Sequence, residues 1–147
     1  MKPLRSTLLA LAVALTPLAA AQTLAEVMLT TAIASTLYPG VRLPSGSLRA
    51  VGAGTAPIIA RVPDATAWTD WEVYTATGIV AALEPALMNN LETGLFLDGF
   101  ERVETTPTND GATVTTRVVF AHADGRRALL VTFRQPRELI WLIARSR

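Results

Sequence analysis

The stretch "TVTTRVVFAHADGRRALLVTFRQPRELIWLIARS", Thr113 to Ser146, decides the fold. Three runs rich in β-branched, leucine and aromatic residues are separated by the short turn signals "ADG" and "QPRE". That pattern predicts an antiparallel β-meander. Asp124-Gly125 suits a two-residue type I′ turn, which needs positive φ at both central positions. Such a turn sets Ala123 opposite Arg126, His122 opposite Arg127, Phe120 opposite Leu129, Val118 opposite Val131 and Thr116 opposite Phe133. One face of the ribbon is then Val114, Val118, Phe120, Leu129, Val131 and Phe133, apolar and suited to a helix. A four-residue loop at Gln135–Glu138 extends this face by pairing Phe133 with Ile140 and Val131 with Leu142.

On this register the opposite face has an apolar centre that includes Trp141, rimmed by Arg117, Arg134 and Arg145. Arg117, Thr132 and Trp141 form one cross-strand row. An arginine beside a tryptophan permits cation–π contact, and an uncovered apolar patch marks an interface. Trp141, Arg117, Arg134 and Arg145 are therefore the candidate interaction face, for a protein partner or for self-association. The alternative is that an N-terminal helix covers them.

Working back from the meander, "IVAALEPALMNNLETGLFLDGF" holds the main helix, expected over Pro85–Leu97. Proline fits a first helical turn, Leu87, Met88, Leu91 and Leu95 make one apolar stripe, and Gly99 is a C-terminal stop. Gly94 costs about 1 kcal/mol relative to alanine in a helix, which suggests that another backbone approaches there. "TDWEVYTATG" alternates as a strand, although Thr69–Glu72 also fits a capping box. "FERVETT" opens the period-two region, and "PTNDGA" is expected to be a loop. Between Val41 and Ala65, glycines and prolines punctuate two short expected strands, near Ser47–Val51 and Ile58–Val62. The "GAG" at 52–54 lacks the rest of a nucleotide-binding motif and is a turn. Thr23–Glu26 fits a capping box, and Leu24, Val27, Met28, Ile33 and Leu37 follow at loosely helical spacing, so an N-terminal helix is expected, ended by Tyr38-Pro39-Gly40.

The first residues form a signal-peptide pattern. Lys2 and Arg5 precede the apolar run Leu8–Leu15, and Ala19 and Ala21 suit cleavage after Ala21. The apolar run is shorter than the roughly 20 residues of a membrane span. Residues 22–147 are then a single exported domain, in a periplasm, cell envelope or extracellular space, with no transmembrane segment after cleavage. The layout is that of small exported bacterial domains, an analogy of fold alone.

The chain has 147 residues and no cysteine, so disulfides and thiol chemistry are excluded. Nine acids and one arginine lie between Asp64 and Asp110, whereas seven arginines face two acids from Arg117 onward. Without the leader the net charge is −1, too small for a strong long-range field, so no nucleic-acid partner is expected. His122 is the only histidine. It falls at a hairpin end, and a metal site needs three or four ligands; no metal or other cofactor is expected. Ser45 and Ser47 lack a nucleophile-elbow pattern. Asp70 and Glu72 form a loose carboxylate pair on one strand. The expectation is an α+β domain with a mainly antiparallel sheet, one main helix packed on it and an N-terminal helix. Its function is non-catalytic binding of a partner protein, an envelope polymer or a small apolar ligand, and the alternative is a small hydrolase using His122 or the Asp70/Glu72 pair.

Overall fold

A computed structural model describes residues 27–146. Over the described residues the domain is α+β: seven strands in one antiparallel sheet, with two helices. The strands are β1 (Met28–Thr31), β2 (Leu48–Val51), β3 (Thr69–Thr77), β4 (Phe100–Asn109), β5 (Val114–His122), β6 (Arg127–Arg134) and β7 (Glu138–Arg145). Their spatial order is β1-β2-β3-β7-β6-β5-β4. The short helix α1 (Ala56–Ile59) lies between β2 and β3, and the long helix α2 (Val80–Leu97) lies between β3 and β4.

The central strands of the sheet are buried on both sides. On the first face, α2 places Leu87, Leu91 and Leu95 against Val118, Phe120, Leu130, Trp141 and Ile143, joined by Tyr38 and Val41 from the loop before β2. On the second face, Val119, Leu129, Val131, Phe133 and Leu142 pack with Val62 and Trp68 from the segment around α1. Burial on both faces explains why "ALLVTF" is a continuous apolar run rather than an alternating one. Each fully buried leucine or phenylalanine contributes about 1.5–3 kcal/mol.

The β5–β6 hairpin departs from the expected register by one residue. Phe120 pairs with Ala128, Val119 with Leu129 and Val118 with Leu130. The His122 N–H donates to the Arg126 carbonyl (2.9 Å) and the Gly125 N–H to the His122 carbonyl (3.0 Å). The loop is thus three residues long, a turn followed by Gly125 at φ 92°, which is the longer hairpin geometry that Asp-Gly also suits. A one-residue slip moves side chains to the opposite face. Val118 and Phe120 face α2 as expected, but Leu129, Val131 and Phe133 lie on the second face. The β6–β7 pairing, Phe133 with Ile140 and Val131 with Leu142, matches the expectation.

Four further boundaries are corrected. The expected N-terminal helix is not formed over Val27–Leu37, where β1 and an irregular segment stand instead; Thr23–Glu26 lies outside the described residues. β-Branched Thr30 and Thr31 suit a strand, and they pair with β2. The expected strand at Ile58–Val62 begins inside α1, where Pro57 occupies the first turn and has no N–H to give a ladder. The main helix starts at Val80 rather than Pro85, anchored by buried Val80. β4 continues through Pro107 to Asn109; as an edge strand it can lose one donor to solvent without breaking the ladder.

Gly94 does admit a close backbone. A Cβ there would lie 2.6 Å from the Gly40 carbonyl oxygen and 2.8 Å from the Val41 Cα. The loop before β2 is therefore pressed directly onto α2.

Candidate functional site

Trp141 is fully buried under α2 and stacks on Tyr74, with ring centroids 5.6 Å apart and planes 19° from parallel. Arg134 is on the same face, and its Nη1 donates to Glu84 of α2 (3.1 Å), which also accepts from Thr132 Oγ1 (2.8 Å). Arg117 lies on the other face, opposite Val131, with its guanidinium held by Asp64 and Glu104. Arg145 pairs with Asp70 at the surface (2.8 Å). The four residues of the expected interaction face are thus split between two faces, and its tryptophan is inaccessible. The register shift separates Arg117 from the row of Thr132 and Trp141, and α2 covers the tryptophan.

The residues considered for catalysis are dispersed. His122 Nδ1 accepts the Asp124 N–H (3.1 Å), and its ring packs edge-on against Phe100 at 5.2 Å. Asp70 sits at a β-bulge with φ 49° and points to Arg145. Ser47 is buried, and its hydroxyl donates to the Pro44 carbonyl (2.6 Å). Among the described residues, no three His, Cys, Asp or Glu side chains gather as a metal site would require.

Glu72 is the residue that sequence reasoning misjudged most. It is only 2% exposed. Its carboxylate accepts from Ser35 Oγ (2.6 Å), the Thr36 N–H (2.8 Å), the Leu37 N–H (3.1 Å) and the Thr36 hydroxyl, with Arg49 at 3.8 Å. These donors all come from the Ser35–Leu37 loop or from β2, so Glu72 is a structural anchor for that loop. Beside it, burial and then the Glu72 charge push the Tyr74 hydroxyl well above its ordinary pKa, which keeps it protonated.

The Arg117–Asp64 contact ties the α1 segment to the second sheet face. Partial burial opposes ionisation of Asp64, but hydrogen bonds from Arg117 and Trp68 outweigh it and hold the carboxyl below its ordinary pKa. A carboxyl whose pKa is lowered by folding stabilises the fold above its unfolded pKa of about 4, and that contribution fades as pH falls through the folded value. Wild type should therefore lose more stability than Asp64→Asn between about pH 5 and pH 2. Urea unfolding at several pH values checks this, and parallel slopes would contradict it.

A large open feature lies on this second face. A cleft of about 790 Å³ runs between the β1–β3 end of the sheet and α1. Leu29, Ala50, Val73 and Ile140 form its sheet wall, and Pro57 and Ile58 form its opposite wall. The walls are apolar because β1, β2, β3 and β7 contribute their second-face positions, and α1 is too short to cover all of them. Gly52 at φ 117° and the prolines at 57 and 63 fold the crossing segment back toward β3. One corner is polar: Thr75 Oγ1 donates to Glu138 Oε1 (2.8 Å). Glu138 is the only charged residue in the lining among the described residues. The volume falls in the range of small-molecule sites, roughly 300–1,000 Å³, and apolar walls with a few polar groups are typical of them. No sequence signal short of the folded topology joins these residues, because they come from four strands and a helix.

No protein-family model matches the chain, and no curated protein and no solved structure is detectably similar to it.

Proposed function

We propose that this chain is an exported, non-catalytic binding domain whose second-face cleft takes an apolar small molecule with a neutral or cationic hydrogen-bond donor at one end. The cleft carries this reading: its walls supply apolar area, and its only charge among the described residues is the Glu138 carboxylate beside Thr75. A carboxylate at the polar corner accepts from hydroxyl or amine groups and repels an anionic headgroup. Free fatty acids therefore suit it poorly, while neutral or amine-bearing apolar molecules suit it well. Export rests on the leader pattern of residues 1–21. The dispersal of His122, Asp70 and Glu72 favours binding over hydrolysis.

The test is fluorescence titration with N-phenyl-1-naphthylamine, a neutral apolar amine, alongside an anionic naphthalene sulfonate. The neutral probe should bind saturably and at least about tenfold more tightly than the anion, a difference of about 1.4 kcal/mol. Ile140→Glu should abolish that binding. Leu29 is half-exposed, so Leu29→Glu gives a second variant that the fold tolerates. Unsaturable binding, or equal binding by both variants and wild type, would overturn the proposal.

A further inference from the structure

The two edges of the sheet differ in a way that matters for assembly. β4 is guarded: it carries Glu101, Arg102 and Glu104, a bulge between Arg102 and Glu104, and Pro107. Charges, bulges and prolines are the usual devices that stop another strand from adding to an edge. β1 has none of these three; its one protection is its length, four residues. No charged residue occurs from Val27 through Val41, and among the described residues no strand lies on the outer side of β1. Met28 and Leu29 are 63% and 51% exposed at this edge.

The backbone polarity of β1 is also defined. The Ala32 N–H donates inward to the Ser47 carbonyl (3.0 Å). In an antiparallel ladder the bonding side alternates with each residue. Met28 and Thr30 therefore point their backbone groups at β2, and Leu29 and Thr31 point theirs outward.

We propose that β1 is the self-association edge of this protein, where a second copy adds its own β1 antiparallel to form a continuous sheet. With Thr30 at the two-fold axis, Leu29 of each copy faces Thr31 of the other, and their outward groups close four backbone hydrogen bonds. A second copy fits this edge for two reasons. The axis runs normal to the sheet, so each face continues onto its own kind: Leu29 meets the second face of the other copy, and Met28 meets the first. Among the described residues the edge also holds no charge that would repel a copy of itself, and none that would select a partner of opposite charge. Such an isologous contact closes at two subunits. It brings the two apolar clefts, each lined by Leu29, side by side at the axis. The pairing does not depend on a ligand in either cleft.

Light scattering on the protein as purified from its host, over a range of concentrations, tests this pairing. The mass should rise toward twice the monomer with concentration. Thr31→Pro deletes an outward N–H and leaves the inner ladder bonds in place. It should weaken the dimer about tenfold or more, since symmetry removes two hydrogen bonds, with an unchanged circular dichroism spectrum. Leu29→Lys should act the same way, and it carries the comparison if Thr31→Pro fails to fold. Val103→Lys, on the guarded edge, should leave the dimer intact. A constant monomer mass, a dimer unaffected by both β1 variants, or a dimer broken by Val103→Lys would each overturn the proposal.

Discussion

Replacing Glu72 with alanine is expected to destabilise the fold by about 3–5 kcal/mol, the range for breaking a buried ionic group from its partners. The cost comes mostly from what is left behind. Ser35 Oγ and the N–H groups of Thr36 and Leu37 lose their acceptor. A buried donor left unsatisfied costs about 1–3 kcal/mol. Arg49 loses its nearest carboxylate. The Ser35–Leu37 loop is then free to leave the sheet, taking Tyr38 and Val41 out of the first-face core. Glu72→Gln keeps an acceptor oxygen and should recover part of the loss. Urea denaturation measures both variants. A loss below about 1 kcal/mol for the alanine variant would show that the loop holds without the carboxylate.

Gly94→Ala is expected to destabilise as well, against the direction of helix propensity. In an exposed helix this change gains about 1 kcal/mol. Here the added methyl would meet the Gly40 carbonyl oxygen at 2.6 Å and the Gly40 carbonyl carbon at 2.8 Å. Those are backbone atoms, so the whole loop must move. Overpacking of this kind costs about 1–3 kcal/mol and occasionally more. The loop is also tethered at Glu72, which limits its escape, so a net loss of about 2 kcal/mol is expected. In a domain of this size that lowers the melting temperature by about 8 °C. A raised melting temperature would mean that the loop is not seated against α2.

These two positions show what was legible in the sequence and what was not. The Gly94 approach could be foreseen because glycine inside an apolar helical stripe has a cost that needs a reason. The strands from Phe100 onward and the Leu87–Leu91–Leu95 stripe were legible from periodicity. The hairpin register was not. Asp124-Gly125 serves both a two-residue and a three-residue loop, and the two differ by one residue. Apolar residues on both faces of β5 and β6 gave the pattern no means of choosing between them. That single ambiguity produced the expected Trp141–arginine surface, which the fold divides. Glu72 carried a usable signal. It shares strand parity with Tyr74 and Ala76, both in the first-face core, and an acid at a core position implies buried donors waiting for it. Its donors lie more than 30 residues earlier, which no local pattern records. The N-terminal segment was misjudged because five apolar residues at irregular spacing fit a helix loosely, while sheet-edge pairing with β2 depends on tertiary context. The cleft was invisible for the same reason, since its walls come from segments that only the strand order brings together.

The most direct test of the cleft as a ligand site is a methyl NMR titration of the isotopically labelled protein with N-phenyl-1-naphthylamine. The methyl signals of Leu29, Ile58, Val73 and Ile140 should shift together and saturably, while those of Leu87, Leu91 and Leu95 under α2 stay in place. Shifts confined to the α2 side of the sheet, or no saturable shifts at Ile58 and Ile140, would contradict the assignment.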